Sequence, residues 1–188
     1  IDHIRQNYPE IPTILDAKNA DIGNTNEGYV SFAFDYLKAD AITLHPYLGR
    51  EALSPFLNRK DKGLFILCRT SNPGAGEFQD LNVDSGLPAG EAGNQQIKLY
   101  QHVAGKVAKE WNYNNNCGLV VGATYPTELT IVRHIVGDGI PLLIPGIGVQ
   151  GGDVEKTVRA GVDKDRLNAI INSSRGIIYA SAGEDFAK

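Results

Sequence analysis

An α/β barrel of the (β/α)8 type is the fold class this sequence predicts, and three observations predict it. Short apolar runs alternate with amphipathic stretches, strand then helix, five times over, with a sixth strand to follow. Strict alternation of this kind implies a parallel sheet with right-handed crossovers. Polar residues stand at the C-terminal end of nearly every strand: Asp16 and Lys18, His45, Ser71 and Asn72, Thr124, Gln150, Ser174 and Arg175. A barrel draws on all its strand ends for ligands, whereas an open doubly wound sheet gathers them at one switch point. Length completes the case. A barrel takes about 250 residues, so six strands in 188 residues suit one barrel domain, 1–188, lacking its first two βα units.

The elements follow in order. Residues 1–10 are expected to hold the end of a helix, and Pro12 introduces a strand through Thr13, Ile14 and Leu15. Strand alternation puts Ile14, Asp16 and Lys18 on one face. A capping box of Asn24 and Glu27 would open a helix running from Glu27 to about Lys38. Ala41 to Pro46 forms the second strand, and Arg50 to Leu57 a helix despite Pro55. Gly63 to Arg69 is a near-continuous apolar run, as a parallel strand covered on both faces should be. The polar, Gly-containing stretch Phe78 to Gly93 is long for a connection and suits a lid or a partner-contacting segment. A helix from about Gln95 to Trp111 carries Ile97, Tyr100, Val103, Ala104, Val107, Ala108 and Trp111 at helical spacing. The remaining elements are a strand at 118–123, a helix at 126–136, a strand at 141–144, a helix at 154–160 and a last strand at 167–171.

Composition excludes several classes. The net charge of −4 comes without any basic cluster or aromatic-basic interleaving, so nucleic acid is not an expected partner. The longest apolar run, Ile140 to Val149, is broken by prolines and glycines and cannot span a membrane. Cys68 and Cys117 fall in strand-like runs and are expected to be buried thiols in a reducing cytoplasm. The four histidines show no ligand spacing, which argues against a transition-metal site built from protein alone. The chain opens at Ile1 in what reads as mid-helix and contains no methionine, so residues are expected to precede it.

Two motifs carry chemistry. In Asp16-Ala-Lys18-Asn-Ala-Asp21, three charges of alternating sign gather within six residues where a strand turns into a helix. As a pattern, D-x-K-x-x-D also describes a solvated salt-bridge cluster. Gly146-x-Gly148-x-x-Gly151 follows a strand and precedes a helix, as a dinucleotide fingerprint does. It lies near the C-terminus, however, and the next strand leads to Arg175 where an acidic residue would meet a ribose. In a barrel the loops after the last two strands form the usual phosphate site, with glycine amides, a helix N-terminus and an arginine.

Asp16-Ala-Lys18-Asn-Ala-Asp21-Ile22-Gly-Asn-Thr25, Thr70-Ser71-Asn-Pro73-Gly-Ala, Pro145-Gly-Ile-Gly-Val-Gln150-Gly-Gly-Asp and Ser174-Arg175 together resemble the orotidine 5′-phosphate decarboxylases, in their longer bacterial and protozoal subgroup. The resemblance covers essentially the whole chain. It implies a cytoplasmic homodimer with no metal or organic cofactor, converting orotidine 5′-phosphate to uridine 5′-phosphate and CO2 in pyrimidine synthesis. By motif, Lys18 would protonate C6 of the pyrimidine and Asp16 would lie against the substrate carboxylate. Asp21, Ile22 and Thr25 would reach into the partner's site. Ser71 would bond the pyrimidine edge, with Pro73 in the same turn. Gln150, after Pro145, would bridge base and phosphate, and Arg175 with the amide after Ser174 would hold the phosphate. The family also uses an Asp and a Lys on two earlier strands, which this chain does not contain.

Three other readings share parts of the pattern. A Mg2+-dependent sugar-phosphate decarboxylase or aldolase of the same barrel group shares D-x-K-x-x-D, but Ile22, Thr25 and the Ser71-Asn72-Pro73 turn fit the nucleotide enzyme better. A dinucleotide-binding oxidoreductase rests on the glycine motif alone. A catalytically inert barrel used as a binding module is the non-enzyme alternative.

Overall fold

The computed structural model describes residues 1–84, 96–148 and 151–183. The alternation expected from the sequence is present. After helix α1 (Asp2–Asn7) come strand β1 (Ile14–Asn19), α2 (Gly23–Val30), β2 (Ala41–Leu44), α3 (Gly49–Leu57) and β3 (Gly63–Arg69). A short α4 (Gly76–Gln79) leads into β4 (Asn82–Asp84), and β5 (Gln96–Lys98) into α5 (Leu99–Lys106). Then follow β6 (Cys117–Val121), α6 (Pro126–Val136), β7 (Leu142–Ile144), α7 (Val154–Gly161), β8 (Ala169–Ile171) and α8 (Ser174–Ile178). Six strands are hydrogen-bonded in the order β1-β2-β3-β6-β7-β8. The β1/β2, β2/β3 and β7/β8 pairs are parallel, whereas β4 and β5 form a separate antiparallel ribbon.

The chain divides into two compact units. The first comprises Ile1–Leu67 and Lys106–Leu119, the second Cys68–Gly105 and Val120–Lys188. In the first, Ile42, Leu44, Leu53, Phe56, Leu57, Leu64 and Ile66 are buried, and Phe34 meets Phe56 edge-on with ring centroids 6.4 Å apart. Asparagines close its connections: Asn116 donates to the carbonyls of Arg59 and Lys62, and Asn114 to that of Leu57. In the second unit, Leu129, Val132, Leu142 and Ile144 are buried. Gly161 ends α7 so close to β7 that a Cβ there would lie 2.5 Å from Ile144 Cδ1.

The second unit also buries a cation. Arg133 on α6 donates from Nε to Gly161 O, from Nη1 to Gly137 O and Ile140 O, and from Nη2 to Asn168 O, all at 2.8–2.9 Å. Burial pulls its pKa down, and Asp163 and Asp138 oppose that pull. One side chain thus bonds carbonyls at the ends of α6 and α7 and in the segments entering β7 and β8, the last of which, Asn168 O, also accepts from Leu142 N.

Several expectations need correction. The first helix of the barrel type begins at Gly23, not Glu27, and passes into a π-helical turn at Ser31–Tyr36. Its N-cap is Ile22, with no side-chain cap bond, so Asn24 and Glu27 do not form a capping box. The long helix begins at Leu99 because Gln96–Lys98 pairs with β4 instead; it ends in a π-helical turn at Val107–Trp111. Part of the Phe78–Gly93 stretch is therefore helix and strand, and residues 85–93 of it lie outside the described residues. The strand expected to be covered on both faces, β3, is buried at all but two of its residues; β2, β6 and β7 are buried throughout, while β1 and β8 are only partly covered. Both cysteines are free and buried, and burial pushes each thiol up to about 12. That keeps them protonated and unreactive at neutral pH. No helix among the described residues is long and apolar enough to cross a membrane.

Candidate active site

In the first unit the charged motif sits on β1, but not as strict alternation would place it. Ile14 and Leu15 pair with Ala41 and Ile42, and the ladder resumes only at Asn19 opposite Leu44. Three residues, Asp16, Ala17 and Lys18, therefore stand against the single residue Thr43. The excursion bends the strand, and Lys18 takes a φ of +51°, the left-handed region that a side chain with a Cβ rarely enters. Lys18 Nζ still donates to Asp16 Oδ1 at 2.6 Å. With side-chain exposures of 51% and 58%, this pair contributes little to stability and is open to a ligand.

The turn after β1 is pinned by a residue that the sequence did not single out. Asn26 is fully buried; its amide donates to Asp21 O and to Ala52 O, and its Oδ1 accepts from Asp21 N. The Asp21 carboxylate accepts from Ile22 N at 2.7 Å. Ile22 is 61% exposed and Thr25 lies exposed on α2, so both present their side chains outward beside Asp21.

In the second unit Ser71 follows β3 in a loop that is braced from three sides. Arg69, with only 3% of its side chain exposed, forms a bidentate pair with Asp80 at 3.0 Å. The same guanidinium donates to Thr70 O and lies 4.0 Å over the Tyr125 ring. Gln79 accepts from Thr70 N at 2.8 Å. Ser71 itself approaches the backbone of Gly122 so closely that a Cβ there would sit 2.7 Å from both Ser71 Cα and Cβ. Pro73 opens the next turn, Pro73–Ala75.

The glycine motif also forms a turn in the second unit. Pro145 O accepts from Ala123 N at 2.8 Å, tying the end of β7 to the end of β6. Gly146 and Gly148 have φ of +104° and +82°, and Gly152 N returns to Gly146 O at 3.1 Å. Ser173 Oγ reaches Ile147 O at 3.5 Å, bringing the segment after β8 to this turn. Asp153 caps α7 by accepting from Lys156 N. Gln150 lies outside the described residues. Ser174 and Arg175 begin the short α8 and are exposed, so Arg175 lies on a helix after β8 and not at the strand end itself. Asp16, Lys18, Asp21, Ile22 and Thr25 thus belong to the first unit, and Ser71, Pro73, Pro145, Ser174 and Arg175 to the second. No group of three His, Cys, Asp or Glu side chains among the described residues is placed to hold a metal ion.

The family model described as orotidine 5′-phosphate decarboxylase / HUMPS family matches residues 1–188. The chain belongs to this family. A Bordetella avium relative named orotidine 5′-phosphate decarboxylase is 52% identical over 184 residues, covering 98% of this chain and 64% of its own length. An Azoarcus relative of the same name is 53% identical over 187 residues, covering 100% of this chain and 65% of its own. The chain therefore spans somewhat less than two thirds of these curated relatives. Among solved structures, the Leishmania donovani OMP decarboxylase superposes with a TM-score of 0.83 at 38% identity, over 98% of this chain and 67% of that one. Leishmania donovani UMP synthase gives 0.84 at 41% identity, over 95% and 37%. Family membership fixes the fold class as the α/β barrel type, with six of its parallel strands in this chain.

Proposed function

We propose that this protein decarboxylates orotidine 5′-phosphate, and that Lys18 and Asp16 carry the chemistry. The observation that carries this reading is the Lys18–Asp16 pair, 2.6 Å apart and open on a strained excursion of β1, in a chain of this family. Breaking the bond between C6 and the carboxylate leaves an electron pair on C6 that the pyrimidine cannot delocalise. A cation at that position interacts more strongly with the transition state than with the ground state, which is what accelerates a reaction. The Lys18 ammonium supplies that charge and then a proton, forming the C6–H bond of uridine 5′-phosphate as CO2 departs. Asp16 lies against the substrate carboxylate and orients the amine.

The rest of the assignment follows the same reading. Ser71, fixed by its contact with Gly122, bonds the pyrimidine edge. Gln150 bridges base and phosphate. The positive-φ glycines with Ser174 and Arg175 take the phosphate, and binding energy from that remote grip holds the reacting end in place. The protein acts as a homodimer in which Asp21, Ile22 and Thr25 complete the partner's site; their outward presentation beside a pinned turn supports this. No metal or organic cofactor takes part.

The test is the absorbance change of orotidine 5′-phosphate with the full-length gene product, with and without EDTA. Turnover insensitive to EDTA is expected. Turnover lost on chelation would favour a Mg2+-dependent member of the family, and no turnover with ligand binding retained would make the protein a binding module.

A further inference from the structure

Thr43 is the one polar residue of β2, whose four residues, Ala-Ile-Thr-Leu, are all buried. In a strand covered on both faces, valine would fill the same volume. Its hydroxyl is instead used both as donor and as acceptor. It accepts from Lys18 N at 2.9 Å and donates to Asp16 Oδ1 at 2.8 Å, the oxygen that also accepts from Lys18 Nζ. The direction is unambiguous, because an amide N–H can only donate and the hydroxyl has one proton to give. Thr43 also stands alone opposite the three residues of the β1 excursion. The Lys18 amide, which finds no carbonyl of β2 where the ladder is broken, is satisfied by this side chain.

We propose that Thr43 is a positioning residue for the decarboxylation assigned above, holding both the left-handed backbone of Lys18 and the carboxylate that aims its amine. The inference rests on that assignment. One buried hydroxyl fixes the two ends of the Asp16–Lys18 pair, so its loss frees Lys18 to relax towards ordinary strand geometry and turns the amine away from its target. A displacement of about 1 Å in a reacting group costs about 100-fold in rate.

The experiment compares Thr43→Val, which keeps the shape, with Thr43→Ser, which keeps the hydroxyl, in the full-length gene product. Two readouts are taken: steady-state kinetics on orotidine 5′-phosphate, and hydrogen exchange of the Lys18 amide. Thr43→Val is expected to lower kcat by about 10- to 100-fold with KM within about three-fold, and to speed Lys18 amide exchange at least about ten-fold. Thr43→Ser should restore both. If Thr43→Val is poorly folded, Thr43→Ala is compared with Thr43→Ser by the same two readouts. Unchanged kcat in the valine variant, or a serine variant as impaired as valine, overturns the proposal. Faster exchange without a fall in kcat does so too, since it leaves Thr43 a structural role only. A wild type that does not consume orotidine 5′-phosphate defeats the functional assignment and with it any role in that reaction, whereas the exchange readout still reports whether the hydroxyl holds Lys18.

Discussion

Lys18 and Arg133 are both lysine-or-arginine cations at the end of an element, and the molecule treats them in opposite ways. Arg133 is nearly buried, has no ion pair among the described residues, and spends its guanidinium on four main-chain carbonyls. Its own backbone is regular helix, and every donor direction used serves the backbone, including the carbonyl of Asn168, whose φ of +61° is a region that asparagine enters more readily than lysine does. Lys18 is half exposed, paired with a half-exposed carboxylate, and held at φ +51° by a break in the ladder. A left-handed non-glycine residue costs on the order of 1–2 kcal/mol, and the exposed ion pair returns little of that. The contrast separates scaffold from site. Arg133 stabilises the fold and leaves nothing over for a ligand; Lys18 costs stability and leaves its charge available.

The largest expected effect is on turnover. Lys18→Ala should lower kcat by at least about 1,000-fold, the combined loss of the acid and of a charge at the reacting carbon. Asp21→Ala should do the same as a homodimer. Mixed and re-equilibrated, the two variants should recover about a quarter of wild-type activity, because half the dimers are then mixed and one site in two of those is intact. A mixture as inactive as its parents after confirmed exchange would place Asp21 in its own subunit's site.

Arg133→Met should act on the other side of the comparison. Four carbonyls lose the guanidinium, and among the described residues only Asn168 O keeps another donor, the Leu142 amide, so the cost is on the order of 3–5 kcal/mol of folding stability. Urea midpoints measure it, and kcat of the folded fraction should stay within about two-fold. A large fall in kcat at full folding would remove Arg133 from the scaffold class.

A smaller effect concerns acid. Asp163 lies beside this arginine, and a hydrogen bond from the Asn168 side chain, then those from main-chain amides such as that of Leu167, holds its pKa down at about 2. A depressed carboxylate favours the folded state only while ionised. Its contribution is complete above the ordinary aspartate value near 3.9 and is lost as pH falls through about 2. Asp163→Asn should therefore flatten the decline in unfolding temperature between about pH 4 and pH 2. A decline as steep as wild type would mean that other carboxylates govern the acid limb.

The strand–helix order and the charged motif were legible in the sequence, whereas the contrast itself was not, for a physical reason. Asp16, Lys18 and Asp21 were readable as a cluster because charges of alternating sign recur at fixed spacing by a strand end, and Lys18 and Asp16 do pair there. The excursion at Lys18 was not, because alternation assumes one partner per residue and the ladder gives Thr43 three. Thr43, Asn26 and Arg133 are ordinary residues of a strand and two helices in sequence; only tertiary contacts show what they hold. The helix expected from Gln95 lost Gln96–Lys98 to pairing with β4, where a cross-strand partner outweighed the helical spacing of Ile97. Arg175 was expected at a strand end, but β8 is only partly covered and stops at Ile171, and Arg175 lies in the short helix that follows.

The strain at Lys18 is the central claim, and two truncations of that residue test it most directly. Lys18→Ala and Lys18→Gly both remove the amine and should both be inactive. At an ordinary strand position glycine is the less stable by about 0.5–1 kcal/mol. At a φ of +51° the alanine keeps the Cβ that makes this backbone costly and the glycine does not. Denaturant unfolding of the two variants should therefore show Lys18→Gly at least as stable as Lys18→Ala, and by up to about 1 kcal/mol more so. Glycine below alanine by the usual margin would show that Lys18 is unstrained, and the division between a costly site and a stabilising scaffold would fail.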